Sequence, residues 1–430
     1  MLVRSKMIIR GGKSLNGEVT TQGAKNAALP VIAAALLLKG KTLKVKHVPK
    51  LEDIYTMADL LRQLGVEVRH VDHSMVLSVP EDLCWETPKA LVSKMRASSL
   101  VLGPLLARMG KAILPLPGGC AIGSRPIDLH LKGLTKLGAE IDLVHGAVHA
   151  QAKELKGTRI YLDFPSVGAT ENIMMAAVFA KGETIIENAA REPEITNLAD
   201  ALKLMGCKIE GVGTGIIHVE GTDNLNETEV EIIPDRIEAG TFMVAGAITR
   251  GKVKVKNVML EHIDATLAKL EETGINIEIE QNAVTVDARD CKMKGVSLKT
   301  LPYPGFPTDM QPQFTALMTI AEGTSVIKET VFESRFLHIS ELKCMGANIE
   351  LQGNTAIVNG VSKLKGAEVR ATDLRAGAAL VLAGLAAEDE TTVYGLGHIR
   401  RGYENFEDKL RSLGGEVEEL PSEENGDSKW

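Results

Sequence analysis

Hydrophobic and polar positions along the chain repeat one pattern six times. In each copy a Leu- or Met-rich helical turn is followed by a glycine and then by alternating positions typical of a strand, as in LLRQLGVEVRHV and ALKLMGCKIEGV. Glycine readily adopts the left-handed conformation that ends a helix. The six glycines lie 68 to 73 residues apart, at Gly65, Gly138, Gly206, Gly274, Gly346 and Gly414. The pattern predicts six related helix–glycine–strand units.

A second, more apolar helix precedes this pattern in each unit and also leads into a strand, as in AAVFAKGETII and AGAITRGKVKV. Each unit then holds two helices and at least three strands in roughly 70 residues, longer than most solenoid repeats. We therefore expect an α/β fold with three repeats in each of two domains. The predicted bounds are 25–232 for the first domain, 1–24 with 233–418 for the second, and 419–430 for a polar, acidic, disordered tail.

The strands at the N-terminus, KMIIRGG and LNGEVTTQ, precede the first repeat and have no helix of their own. The count of six units is complete only if this segment joins the sixth repeat. The N-terminus is therefore predicted to return to the C-terminal domain.

Polar junctions lead into the apolar helices, and several of them carry a cation. Helix N-termini have free N–H groups and a positive partial charge, and they favour anions. Capping by Ser, Thr or Asp accounts for most such junctions. It does not account for cations, which oppose the helix dipole, and we interpret the following residues as partners of a bound anion: Lys25, Arg96, Arg236 and Arg375.

Composition and charge argue against several classes of protein. Lys and Arg total 49 and Asp and Glu 56, for a net charge of -7, which argues against a nucleic-acid-binding surface. The start of the chain lacks the apolar stretch of a secretory signal, and the apolar run from Ala27 is too short to cross a bilayer. A cytoplasmic protein without membrane contact is expected. The five cysteines form no CxxC or Cys/His cluster, so no metal site is expected.

The segment LPLPGGCAIGSRPIDLH differs from the repeats. Its prolines and glycines predict a loop with Cys120 at the tip and Arg125 five residues later. A thiol near guanidinium groups on such a loop is expected to have a lowered pKa and to exchange a proton near neutral pH. Cys207 and Cys344 lie inside the repeated pattern, and we interpret them as buried and inert.

Motifs spread from about Met7 to Leu420 carry a family resemblance: QGAKNAALP, GGCAIGSRPIDLH, SVGATENIM, ENAAREPEI, PDRIEAGTF, FPTDMQPQF, ETVFESRF and HIRRGYE. The chain resembles the UDP-N-acetylglucosamine 1-carboxyvinyltransferase family. The resemblance implies two domains, each an inside-out α/β barrel with helices at its centre. It implies transfer of the enolpyruvyl group of phosphoenolpyruvate to the sugar 3-hydroxyl of UDP-N-acetylglucosamine, the first committed step of peptidoglycan precursor synthesis. No metal or organic cofactor is implied.

The resemblance also implies roles for single residues. Cys120 is similar to the loop proton donor and to the site alkylated by fosfomycin, and Asp309 is similar to the base beside the sugar hydroxyl. The implied contacts of phosphoenolpyruvate are Lys25, Asn26, Arg125, Arg375 and Arg401. Those of the nucleotide sugar are Arg96, Arg125, Pro126, Ile127, Asp128, Leu129, Phe164, Ser166, Val167, Asp309 and Val331. Asp373 and Arg335 are implied as supporting residues.

One position departs from the family. Phe164, in LDFPSVGAT, stands where many members have a lysine two residues before the serine. A cation near the uridine diphosphate is therefore missing, and Phe164 is expected either to stack or to pack.

Three other readings remain open at this stage. An enolpyruvyl transferase acting on shikimate 3-phosphate shares the six-unit plan, but its phosphate-sugar motifs are not seen in this chain, and the Cys120 loop is not expected of it. A non-catalytic repeat scaffold that clamps nucleic acid conflicts with the acidic balance and the 3% aromatic content. A cyclase acting on RNA ends needs a catalytic histidine, and no histidine here lies in a suitable loop motif.

Overall fold

The computed structural model describes residues 5–116 and 127–421. The helices, in chain order, are α1 Lys25–Ala34, α2 Glu52–Gln63, α3 Lys89–Val92, α4 Leu102–Met109, α5 Asp128–Lys136, α6 Val167–Ala177, α7 Pro193–Leu204, α8 Arg236–Ile248, α9 Asp264–Glu272, α10 Gln311–Met318, α11 His338–Cys344, α12 Leu374–Ala386, α13 Leu396–Ile399 and α14 Phe406–Ser412. The strands are β1 Ser5–Arg10, β2 Asn16–Thr20, β3 Thr42–Lys46, β4 Glu67–Val71, β5 Ser74–Ser78, β6 Lys111–Pro115, β7 Glu140–Val144, β8 Ala147–Gln151, β9 Arg159–Tyr161, β10 Glu183–Glu187, β11 Lys208–Glu210, β12 Ile216–Glu220, β13 Thr228–Glu231, β14 Lys252–Lys256, β15 Asn276–Glu280, β16 Ala283–Asp287, β17 Leu298–Lys299, β18 Thr324–Lys328, β19 Asn348–Gln352, β20 Thr355–Asn359, β21 Glu368–Arg370, β22 Glu390–Tyr394 and β23 Glu416–Pro421.

The described chain divides into two units, each with its own hydrophobic core. One unit is contiguous apart from the gap and takes residues 23–116 and 127–233, and the other takes residues 5–22 and 234–421. In the first, helices α1, α4 and α6 are almost wholly buried; in the second, helices α8, α10 and α12 are. These helices are apolar on all sides because strands and neighbouring helices cover them all round.

Each unit contains three sheets, and five of the six described sheets share one four-stranded topology, while the sheet β6-β8-β7 has three antiparallel strands only. In the sheet β13-β3-β5-β4, β13 runs parallel to β3, while β3, β5 and β4 pair antiparallel. The order β2-β14-β16-β15 repeats this arrangement in the other unit. Among the described residues the six sheets are separate, so the expected barrels are not closed by continuous strand pairing. Hydrophobic packing onto the inner helices holds the sheets instead.

The first N-terminal strand, KMIIRGG, completes the last repeat as predicted, but LNGEVTTQ does not: its strand β2 pairs parallel with β14 in the sheet of another repeat of the same unit. Strand β1 lies between β22 and β23 and pairs antiparallel with both, Met7 opposite Val393 on one side and Glu419 on the other. The prediction of a disordered tail from residue 419 is wrong for its first three residues. Leu420 and Pro421 pair with β1 in the same ladder, because this edge of the sheet supplies backbone partners. Residues 422–430 lie outside the described residues.

The glycine pattern is confirmed at every copy. Each of the six glycines follows an outer helix and has a φ between 88° and 108°: Gly65, Gly138, Gly206, Gly274, Gly346 and Gly414. A side chain with a Cβ is strained in this conformation, which explains the recurrence of glycine. In the part of the chain that the structure describes, no helix has both the length and the apolar character needed to cross a membrane.

Candidate active site

Asp309 lies in a short 3-10 helix, Thr308–Met310, that leads into α10. Arg335 Nη2 donates to one carboxylate oxygen at 2.7 Å, and Arg375 donates to the other through Nη2 at 3.0 Å and Nε at 3.3 Å. The two arginine side chains are 4% and 2% exposed, while Asp309 is 25% exposed. Two guanidinium groups therefore bind the carboxylate, and part of it stays open to solvent.

A second carboxylate fixes the neighbourhood of Asp309. Glu329, 1% exposed, accepts hydrogen bonds from the hydroxyls of Thr300 and Thr308 at 2.7 and 2.8 Å and from the backbone N–H of Val331 at 2.8 Å. Thr308 in turn accepts from Arg335 Nη1 at 3.2 Å. The bonds connect Glu329 to Asp309 through Thr308 and Arg335, so the orientation of the candidate base is fixed by hydrogen bonds.

Arg375 lies in the first turn of α12, and Asp373 is the N-cap of this helix. The Asp373 carboxylate accepts from the N–H groups of Arg375 and Ala376 at 2.8 and 3.0 Å. Burial lowers the pKa of the Arg375 guanidinium, but Tyr403, Asp309 and other acidic groups more than offset this, and the pKa lies above its ordinary value. Arg375 therefore stays charged although it is fully buried.

In the other unit, Lys25 is the first residue of α1 and pairs with Asp53 in the first turn of α2. The distance from Nζ to Oδ2 is 3.1 Å, and the two side chains are only 9% and 6% exposed. Asp53 thus neutralises a cation at a helix N-terminus that the helix dipole disfavours. Asn26, next along α1, is half-buried.

A buried polar network connects the elements that carry Arg96 and Ser166. Asn172 of α6 donates to Ser99 O at 2.8 Å, contacts His130 Nδ1 at 2.8 Å and accepts from Gly103 N at 2.7 Å. Burial, and then the nearby charge of Arg96, lower the pKa of His130 to about 4. His130 is therefore neutral at physiological pH. Ser166 caps α6 by accepting from Ala169 N.

The other predicted site residues occupy varied environments. Ile127 is buried, Asp128 exposed and Leu129 half-buried at the start of α5, while Val167 and Arg401 are half-buried and Phe164 is 41% exposed. The structure brings Asp309, Arg335 and Arg375 into contact within one unit and places Asp373 and Val331 beside this group. Cys120, Arg125 and Pro126 lie outside the described residues.

Sequence reasoning missed Asp53, Glu329 and Tyr403. Asp53 and Glu329 follow no periodic rule that distinguishes them from surface acids, although Glu329 opens the quoted motif ETVFESRF. Tyr403 lies in HIRRGYE, two residues after Arg401. Its proximity to a motif arginine is the signal that could have identified it.

Cysteine environments differ from the expectation at one position. Cys207 is buried, and burial raises the pKa of its thiol to about 12, which makes it inert. Cys344 is exposed instead of buried because it occupies the outward side of α11 just before the helix ends. Within residues 5–116 and 127–421, no group of three or more His, Cys, Asp or Glu side chains is placed to hold a metal ion.

Comparison of the sequence with family models places the chain in a known family. The sequence model of EPSP synthase (3-phosphoshikimate 1-carboxyvinyltransferase) matches residues 9–410, and the chain belongs to this family of enolpyruvyl transferases. Two structures share the fold. The enolpyruvyl transferase NikO from Streptomyces tendae has a TM-score of 0.89 and 24% identity, covering 97% of this chain and 99% of that one. An EPSP synthase from Acinetobacter baumannii has a TM-score of 0.75 and 19% identity, covering 97% and 100%.

Curated relatives show which enzymes within this family the chain resembles in sequence. UDP-N-acetylglucosamine 1-carboxyvinyltransferase 2 of Carboxydothermus hydrogenoformans is 54% identical over 417 residues, which cover 96% of this chain and 99% of the relative. UDP-N-acetylglucosamine 1-carboxyvinyltransferase 1 of Halalkalibacterium halodurans is 53% identical, with 96% and 94% covered. Within its family the chain groups with the UDP-N-acetylglucosamine 1-carboxyvinyltransferases.

Proposed function

We propose that the chain transfers the enolpyruvyl group of phosphoenolpyruvate to the 3-hydroxyl of UDP-N-acetylglucosamine and releases phosphate, at the start of peptidoglycan precursor synthesis. The identity of 54% over nearly the whole of a relative with that name carries the proposal. Both substrates are phosphorylated metabolites of the cell interior, which supports a cytoplasmic site of action. The residue roles below follow from the family resemblance.

Phosphoenolpyruvate carries close to three negative charges and needs fixed cations. Lys25, Arg125 and Arg401 bind its phosphate and carboxylate, with Arg375 close by and Asn26 beside Lys25. An arginine can grip either group through two parallel hydrogen bonds. The burial of Lys25 and Arg375 supports this role, because a cation at low dielectric attracts an anion more strongly than one in water.

The nucleotide sugar binds through a separate set of residues. Arg96 and Arg125 supply positive charge, and Ser166 and Val167 supply the N-terminal turn of α6, whose N–H groups favour phosphate oxygens. The chain from Pro126 to Leu129 and the residues Phe164 and Val331 complete the set. Phe164 contributes an exposed aromatic face but no charge.

The reaction proceeds by addition and elimination. The Cys120 thiol gives a proton to the methylene carbon of phosphoenolpyruvate, which leaves a cationic centre at the next carbon. The sugar oxygen bonds to that centre while its proton passes to Asp309. The tetrahedral ketal then loses phosphate, a methyl proton returns to the Cys120 thiolate, and the double bond re-forms.

The arginine pair explains how Asp309 could change its basicity. A carboxylate bound by two guanidinium groups is a weak base. When the substrate anion binds Arg375, its negative charge offsets part of the positive charge beside Asp309, and Asp309 accepts a proton more readily. Arg335 continues to orient it through the bonds to Thr308 and Glu329.

A phosphate-release assay with two acceptors tests the function. Release is expected with phosphoenolpyruvate and UDP-N-acetylglucosamine together, and not with either alone. Release that instead depended on shikimate 3-phosphate would contradict the proposal. Asp309→Asn, which keeps the shape and removes the base, is expected to lower kcat by about a hundredfold or more. Asp264→Asn, at the exposed start of α9, is the control and should leave kcat unchanged.

Thiol chemistry gives an independent test. Cys120→Ser is expected to slow turnover by about tenfold or more and to abolish alkylation by an epoxide inhibitor such as fosfomycin. Cys84→Ser removes another exposed thiol and should change neither. Full labelling of the Cys120→Ser protein would show that a different cysteine is the reactive one.

A further inference from the structure

Tyr403 lies against Arg375, the buried arginine that holds Asp309. The guanidinium carbon is 5.4 Å from the centroid of the phenol ring, within the range of a cation–π contact. Both residues are 2% exposed. The ring therefore provides a dry, polarisable surface for a cation that has lost its hydration.

Hydrogen bonds fix the direction of the phenol O–H. The Thr241 hydroxyl donates to Ile237 O at 2.7 Å, so its oxygen accepts from Tyr403 Oη at 2.9 Å. Gln313 Nε2 donates to Tyr403 Oη at 3.2 Å and to Thr241 Oγ1 at 3.1 Å. Helices α8 and α10 thus anchor Tyr403 from two sides through Thr241 and Gln313.

One nitrogen of the Arg375 guanidinium can still donate hydrogen bonds to a ligand. Its Nε and Nη2 bind Asp309, but Nη1 is buried and has no hydrogen-bond partner among the described residues. A buried cationic donor without a partner is unfavourable unless a ligand meets it. Arg375 is accordingly oriented to bind an anion while one edge remains on Asp309.

We propose that Tyr403 is a positioning residue that keeps the Arg375 guanidinium in place for the anionic groups of phosphoenolpyruvate. The inference rests on the proposed function. The Asp309 carboxylate is proposed to change its charge during the reaction, whereas the anchored ring of Tyr403 stays in place beside Arg375 throughout.

Tyr403→Phe tests this role because it keeps the ring and removes the anchored oxygen. The KM for phosphoenolpyruvate is expected to rise by about tenfold, since a misplaced group in a binding site weakens binding by such factors. The KM for UDP-N-acetylglucosamine should stay within about twofold of the native value. Tyr394→Phe is the matched control, because Arg370 lies 5.5 Å from the Tyr394 ring and the phenol bonds to Glu368 on the surface, and this change should leave both KM values unaltered.

A second variant separates positioning from stability. Tyr403→Phe should cost little melting temperature, because Thr241 keeps its hydrogen bonds to Ile237 O and to Gln313 Nε2. Val284→Ala, at a fully buried position of β16 in the same unit, should lower the melting temperature by removing core contacts and should keep the native KM for phosphoenolpyruvate. A KM raised as much in Val284→Ala as in Tyr403→Phe would overturn the inference, as would an unchanged KM in Tyr403→Phe. Absence of phosphate release by the native protein would instead contradict the proposed function.

Discussion

Lys25 and Asp53 show how one acid can support a cation of the candidate site. Removing one partner of a buried ion pair leaves an unpaired charge, which typically lowers the free energy of unfolding by about 3–5 kcal/mol. We expect Asp53→Ala to lose stability of this order in urea denaturation and to raise the KM for phosphoenolpyruvate.

The control lies in the same helix. Asp59 pairs with Arg62 three residues on, at 2.7 Å, and both side chains are largely exposed. Asp59→Ala should change the free energy of unfolding by about 0.5 kcal/mol or less. An equal loss in the two variants would show that the burial of the Lys25 pair has no energetic consequence.

Glu171, in contrast to Asp53, is a buried acid whose charged form is unfavourable in the folded chain. It is 3% exposed, its Oε1 has no hydrogen-bond partner among the described residues, and burial, with Glu194 and Glu192, raises its pKa well above the ordinary value. The unfolded chain loses this proton first, so stability falls as pH rises from the ordinary pKa through the raised one. Glu171→Gln should therefore raise the melting temperature, and more at pH 8 than at pH 5.

Glu238 is the contrasting buried acid. Burial raises the pKa of Glu238, and hydrogen bonds from Lys409 Nζ at 2.5 Å and Gln22 N at 2.7 Å offset only part of this rise. Removing the charge of Glu238 would take this partner from the Lys409 ammonium, which is only 13% exposed. Glu238→Gln should lower the melting temperature at pH 8. A higher melting temperature in both Glu171→Gln and Glu238→Gln would mean that removal of any buried carboxylate stabilises the chain.

At the scale of elements, Arg108 joins the end of α4 to two segments distant in sequence. Its guanidinium donates to the carbonyl oxygens of Leu36 and Leu38 after α1 and to those of Pro80 and Glu81 after β5. A lysine ammonium cannot reach four carbonyls at once. Arg108→Lys is expected to lower the free energy of unfolding by about 2 kcal/mol, since a hydrogen bond to a charged group contributes about 1.5–3 kcal/mol.

Arg69→Lys provides the comparison in the same unit. Arg69 binds only Glu67, two residues away, and the pair is exposed. The expected change in the free energy of unfolding is about 0.5 kcal/mol or less. A loss in Arg69→Lys as large as in Arg108→Lys would exclude the bridging carbonyl bonds as the cause.

Elements were more predictable than contacts between them. The helix ends at Gly65 and its five equivalents, the buried inner helices and the return of β1 followed from periodicity and from the backbone freedom of glycine. The pairing of Lys25 with Asp53 and of Arg375 with Tyr403 did not follow from these patterns. Such side-chain pairs join positions 28 residues apart in both cases, with no local pattern, and they form only when helices pack.

For the whole molecule, two buried histidines set the response to acid. The pKa of His130 is lowered to about 4 by burial and then by Arg96, and that of His338 to about 4 by burial, with Arg335 also lowering it and Asp373 opposing the shift. Unfolded histidine takes up a proton near pH 6.5. The stabilising effect of each neutral ring is therefore complete above that pH and is lost as the pH falls toward 4.

Each histidine should contribute a slope of up to about 1.4 kcal/mol per pH unit in this window. His338→Gln is expected to make the loss of stability between pH 6.5 and pH 4 shallower in urea denaturation. His145→Gln, at an exposed position, should leave the slope unchanged. A slope unaffected by His338→Gln would assign the acid response to other groups.

Strand β1 precedes residues 23–233 in the chain, and its partners β22 and β23 follow them. A ribosome therefore completes residues 23–233 as an uninterrupted stretch before β1 meets its partners, and that unit can fold while synthesis continues. The backbone of β1 has no partner strand until β22 and β23 have been made. A premature stop before β23 would leave one edge of β1 without a hydrogen-bonded partner strand. Truncated products should therefore aggregate through this edge, although the unit formed by residues 23–233 is intact.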